Sequence, residues 1–81
     1  MARDFYQIAR KIAQCLPERL SKELRSKIMF WAPEIQWARL TYFVNDHIKP
    51  DSIDPVSVKI YALLCDKTEE DMKAEFIEKG F

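Results

Sequence analysis

At 81 residues the chain has room for one domain with a small core, and its 48% hydrophobic and 12% aromatic content is too high for a disordered segment. Thirteen basic residues balance thirteen acidic ones, which removes any global electrostatic drive toward nucleic acid, anionic membrane or acidic substrates. A single glycine, Gly80, excludes the Gly-rich cradles of P-loop and dinucleotide enzymes, and no apolar run approaches the ~20 residues that a bilayer span requires.

Without hairpin turns or strand-like alternation, helices remain, and the pattern predicts an all-α fold: a compact bundle of four to five short helices over residues 1–81. The first helix is expected over Asp4–Leu16. Phe5, Ile8, Ala9, Ile12 and Leu16 line one face, and Asp4 with Gln7 offers a capping box. Pro17 ends that pattern and fits the start of a second helix, which is expected to reach Trp31 with Leu20, Leu24, Ile28 and Trp31 in one stripe. Arg19, Lys22 and Arg25 fall on its other side, and Arg19 with Glu23 has the spacing of an ion pair.

Pro33 is expected to open the third helix, running to Ile48. Trp37, Leu40, Val44 and Ile48 form one apolar face; Ile35, Ala38 and Tyr42 form another, leaving Arg39 and Asp46 as a narrow polar strip. A helix apolar nearly all round is normally central, so the third helix is expected at the middle of the bundle. The segment "KPDSIDP", Lys49 to Pro55, reads as a loop. Asp54 then caps a fourth helix with Pro55 at its first position and Val56, Ile60, Leu63 and Leu64 facing inward. Thr68 starts a fifth helix over Glu69–Lys79 with Met72 and Phe76 on one face. Gly80 suits a left-handed cap that folds Phe81 back, so the chain reads as complete.

Charge is unevenly spread. Residues 1–31 carry seven Lys/Arg against three Asp/Glu, and residues 32–81 carry six against ten, so the halves have opposite signs of equal size. The basic residues Arg10, Lys11, Arg19, Lys22 and Arg25 could meet phosphates, which makes nucleic-acid binding the second functional reading. Glu18 and Glu23 interrupt that face, and no aromatic ring lies among its charges to stack on a base. The fourth and fifth helices have the spacing of a helix-turn-helix, yet the would-be reading helix "EEDMKAEFIEK" is acidic and would be repelled by a groove.

Catalytic signals are sparse. His47 is the single histidine, and Asp46 beside it points about 100° away on a helix. Cys15 and Cys65 show no CxxC or zinc spacing, so a reduced, cytoplasmic protein is expected, with no disulfide. Charge at Arg3 and Asp4 argues against a secretory leader. Asp46, His47, Asp51 and Asp54 crowd one loop, but no calcium-loop spacing is present and turn formation explains them more simply. No enzyme, cofactor, metal or small-molecule substrate is expected.

The sharpest feature is "KIMFWAPEIQW", residues 27–37, which gathers one methionine, one phenylalanine and both tryptophans around a proline. Were it simply a corner between the second and third helices, its rings would be core. As a docking surface it would offer Met29, Phe30, Trp31, Ile35 and Trp37 as anchors, with Arg25 and Lys27 as a charged rim. Trp37 is expected to be the most buried of these and Met29 or Phe30 the least. The favoured function is therefore a small non-enzymatic protein-binding module, an adaptor, inhibitor or regulatory subunit, whose partner is another protein or a second copy of itself.

Overall fold

The computed structural model describes residues 4–48 and 54–79, the last by its backbone alone. Among the described residues the fold is all-α, five helices in a compact globule: α1 (Phe5–Gln14), α2 (Glu18–Ile28), α3 (Gln36–His47), α4 (Pro55–Cys65) and α5 (Glu69–Lys79). The expected loop residues 49–53 and the expected cap at Gly80 and Phe81 lie outside them.

Local chemistry accounts for most of the boundaries. The Asp4 carboxylate accepts from the Gln7 amide at 3.2 Å, satisfying one of the donors that a helix start leaves unpaired. Asp54 repeats the device at α4, accepting from the Val56 amide and from the Ser57 hydroxyl, each at 3.3 Å. Thr68 does the same for Asp71 at 3.1 Å at the start of α5. The turn between α4 and α5 is closed by Asp66 in the left-handed region (φ 57°, ψ 50°). Aspartate tolerates this conformation better than most residues, because its short side chain bonds locally.

The main core is built by α1, α2, α3 and α4. Ala9, Ile12, Leu24, Leu40 and Ile60 are wholly removed from solvent, with Phe5, Ile28, Phe43, Val44 and Leu64 around them. α1 packs against α2, α3 and α4; α3 turns its Leu40–Val44 face to the core. Its second apolar face was expected to be covered, but Ile35, Ala38 and Tyr42 are exposed. A smaller cluster of Val58, Ala62, Met72 and Phe76 joins α5 to the far side of α4. Because α4 is sandwiched between α1 and α5, it buries Val58 and Ala62 on one side and Ile60 and Leu64 on the other. Val56, expected inward, is instead exposed near the free end of α4.

The largest departure from the sequence expectation is the corner itself. α2 stops at Ile28 rather than Trp31, and α3 begins at Gln36 rather than Pro33. Proline disfavours helical backbone in the residue before it and brings no amide hydrogen of its own. Residues 29–35 therefore form two successive turns, closed by Phe30 N–H to Lys27 at 3.0 Å and Ile35 N–H to Ala32 at 3.0 Å.

Candidate functional site at the α2–α3 corner

The corner splits its aromatic residues into two sets. Phe5, at the start of α1, is buried and touches both tryptophans: its ring lies 6.3 Å from Trp31 and 5.1 Å from Trp37, the latter edge-to-face. Both indoles are half-buried against the main core. Trp37, expected to be the most buried of the corner residues, shares its half-buried setting with Trp31, which was expected on the inward stripe of the second helix. Phe30 and Met29 go the other way, with 87% and 76% of their surface open to solvent, and Ile35 is exposed as well. A Phe or Met side chain left in water forgoes roughly 1.5–3 kcal/mol that burial would supply. Phe30 escapes the core because it sits in a turn after α2 has ended, where the leucine stripe of the helix no longer sets its direction.

Between this turn and α3 lies an open groove of about 330 Å³, lined by Lys27, Phe30, Trp31, Arg39, Tyr42, Phe43, Asp46 and His47. Two of these residue pairs are held by specific contacts. Lys27 Nζ lies 5.6 Å from the Phe43 ring centroid, a cation–π distance, and also pairs with Glu23 at 3.2 Å. The His47 ring stacks on Phe43 at 4.4 Å, and its Nδ1 is 2.9 Å from the Phe43 carbonyl. A carbonyl only accepts, so Nδ1 carries the hydrogen and Nε2 holds the lone pair when the ring is neutral. Tyr42 adds a second exposed aromatic ring, and Arg39 adds a cation with no ion pair among the described residues.

Of the residues the sequence singled out, Lys27, Phe30 and Trp31 line this groove; Met29 and Ile35 flank it in the turn, and Trp37 supports it from the core side. Arg25 lies exposed on α2 with its Nε donating to the Ser21 hydroxyl at 3.3 Å. Sequence reasoning missed Arg39, Tyr42, Asp46 and His47 as partners in the same place. The signal was available: Arg39, Tyr42 and Asp46 follow one another at three- and four-residue spacing on α3.

The basic residues of the second reading, Arg10, Lys11, Arg19, Lys22 and Arg25, are all exposed. Part of that charge is internally matched, since Lys22 pairs with Glu18 at 3.3 Å, while Glu23 takes Lys27 as its partner rather than Arg19. Cys15 directs its thiol to the Lys11 carbonyl at 3.4 Å, both cysteines are free, and no cluster of metal-binding side chains occurs among the described residues. Asp51, one member of the acidic loop, lies outside them. No described helix is long and apolar enough to cross a membrane. In comparisons with known proteins, no family model, no curated protein and no solved structure matches the chain significantly.

Proposed function

We propose that this chain is a small non-enzymatic protein-binding module of the cytoplasm, an adaptor, inhibitor or regulatory subunit that docks through the α2–α3 corner. The observation that carries this reading is the outward placement of Phe30 and Met29, beside Tyr42, on a base fixed by two tryptophans and Phe5. Aromatic and methionine side chains are enriched where interfaces bury area, and an aromatic ring brings a large apolar surface with few rotatable bonds to order. Lys27 and Arg39 supply the polar rim that orients a partner, while Arg25, exposed on α2, is not among the lining residues. The free thiols fit a reducing compartment.

The test is a Met29→Ala/Phe30→Ala double variant. Both side chains are exposed, so circular dichroism and thermal melting should match the parent, whereas association with the partner, foreign or self, should weaken at least about tenfold. Unchanged association would remove the corner from consideration. Nucleic-acid binding through Arg10, Lys11, Arg19, Lys22 and Arg25 makes the opposite prediction on heparin: tight, salt-sensitive retention, where the protein-binding reading expects weak retention at physiological salt.

A further inference from the structure

We propose that α5 is an exchangeable element: it leaves its place on α4, straightens with α4 into one continuous helix, and pairs antiparallel with the same helix of a second copy of this chain. The inference uses no residue of the corner. From Val56 to Lys79 the sequence contains neither glycine nor proline, so no residue there ends a helix by its own backbone chemistry. Asp66 nevertheless takes the left-handed conformation, the one non-glycine residue with positive φ among the described residues, at a position where glycine is the usual choice. Asp66, Lys67 and Thr68 are exposed, as are Cys65 and Glu69 on either side, so the turn has no core of its own. α5 is folded back by the burial of Val58, Ala62, Met72 and Phe76, helped by the Tyr61 ring and the Lys67–Glu75 ion pair.

Straightening satisfies more of the backbone. The amides of Glu69 and Glu70 open α5 and have no intrahelical acceptor; in a continuous helix they donate to the carbonyls of Cys65 and Asp66. It also uncovers the four apolar side chains, and their positions say what covers them again. On one helix Val58, Ala62, Cys65, Glu69, Met72 and Phe76 follow at alternating four- and three-residue steps, the spacing of a seam between two paired helices. Val58 and Phe76 are equally far from Lys67 in the sequence, and so are Ala62 and Met72. Two such helices laid antiparallel about Lys67 therefore set Val58 and Ala62 of each copy against Phe76 and Met72 of the other, and the area buried within one copy is buried again between two. Ile60 and Leu64, on the other side of α4, keep their places in the main core. Glu69 puts a charge in the middle of the seam, and refolding within one copy is favoured by an effective concentration of about a millimolar. The pair is accordingly a weak one that forms in concentrated protein.

Sedimentation velocity from about 10 µM to about 1 mM, with amide exchange on the same samples, tests this. The parent is expected to be monomeric at the low end, with a dimer emerging toward the high end. Asp66→Ala disfavours the left-handed turn and favours helix, so it should strengthen the dimer at least about tenfold; Asp66→Gly eases the turn and should weaken the dimer by a similar factor. In the dimer the Glu69 and Glu70 amides should exchange at least about tenfold more slowly than in the monomer, a change that pairing of closed monomers does not produce. Circular dichroism checks the folding of each variant, and Asp66→Leu repeats the first arm. Asp66→Ala monomeric at the highest concentration overturns the proposal. So does a dimer whose Glu69 and Glu70 amides exchange as in the monomer, or an Asp66→Gly variant that pairs as well as Asp66→Ala. Met29→Ala/Phe30→Ala should leave the exchange untouched; a dimer lost on that change is held by the corner, which ends this proposal and leaves the corner reading standing.

Discussion

The main core and the α4–α5 cluster share α4 but are held in different ways. The main core draws twelve buried side chains from α1, α2, α3, α4 and the turn residue Leu16, and every helix in it meets at least one other besides α4. Among the described residues the smaller cluster has four buried side chains from two helices, supplemented by Tyr61 against Phe76 and by the ion pair between Lys67 and Glu75. Regions with few buried apolar contacts open at lower free energy than the global transition. The difference therefore implies a graded molecule, in which α5 is released before the α1–α4 body unfolds. It also places the aromatic corner on the better-supported part of the molecule, against the main core.

The strongest way to break that comparison is Leu40→Ala. Leu40 is wholly buried where α3 meets α1 and α2, and a leucine truncated in such a place costs about 2–5 kcal/mol through lost transfer energy and a residual cavity. Chemical denaturation should show the full loss in one cooperative transition. Phe76→Ala sharpens the contrast. Truncating a buried phenylalanine removes the largest apolar contact between α5 and α4, yet the body has an alternative to unfolding, which is to let α5 go. The global loss should be smaller, about 2 kcal/mol. Amide exchange should lose protection across α5 while Ile12, Leu24 and Leu40 keep theirs, and equal loss in both regions would show that the two clusters are one cooperative unit.

Tyr61 sits on the seam between the regions. Its ring packs on Phe76, while its hydroxyl lies 2.9 Å from Asn45 Oδ1 and 3.1 Å from the Ile48 carbonyl, tying the end of α3 to α4. One hydroxyl hydrogen serves these two acceptors, so Tyr61→Phe should cost about 1 kcal/mol. Burial, and then the nearby Cys65 thiolate, raise the Tyr61 pKa above the usual 10.0. Above pH 10 an unfolded tyrosine releases its proton before the folded one does, so the folded state binds more protons and stability falls as pH rises. The parent should lose stability through that alkaline window, and the Tyr61→Phe variant should lose less; parallel curves would show that the hydroxyl carries none of the dependence.

Much of the fold was legible because its signals are local. Helix type and count followed from apolar spacing, and the caps at Asp4, Asp54 and Thr68 followed from residue type at a helix start. What failed to read was tertiary. The two-sided burial of α4, with Val58 and Ala62 inward and Val56 outward, depends on which helices flank it, and periodicity within one helix carries no such information. The third helix looked apolar on two faces, yet only the Leu40–Val44 face found a neighbour. At the corner, composition marked residues of which Lys27, Phe30 and Trp31 line one groove, and the exposure of Met29 and Phe30 matched expectation. The partners Arg39, Tyr42 and His47 came from another helix and needed the chain to turn at Pro33 before they could meet Lys27 and Phe30.

The smallest expected effect is the most informative about the corner. Phe30→Ala deletes a large apolar side chain, which in a core would cost about 3–5 kcal/mol. Here the ring is 87% exposed, so the stability change should stay within about 0.5 kcal/mol of the parent. Trp31→Ala, one residue further on, removes a half-buried ring that touches Phe5 and should cost distinctly more. A near-zero cost at Phe30 beside a large one at Trp31 would mean that folding has no use for the Phe30 ring while still holding its base in place. A Phe30 cost comparable with Trp31 would mean that the ring packs in solution, and the corner would then belong to the main core rather than to a partner.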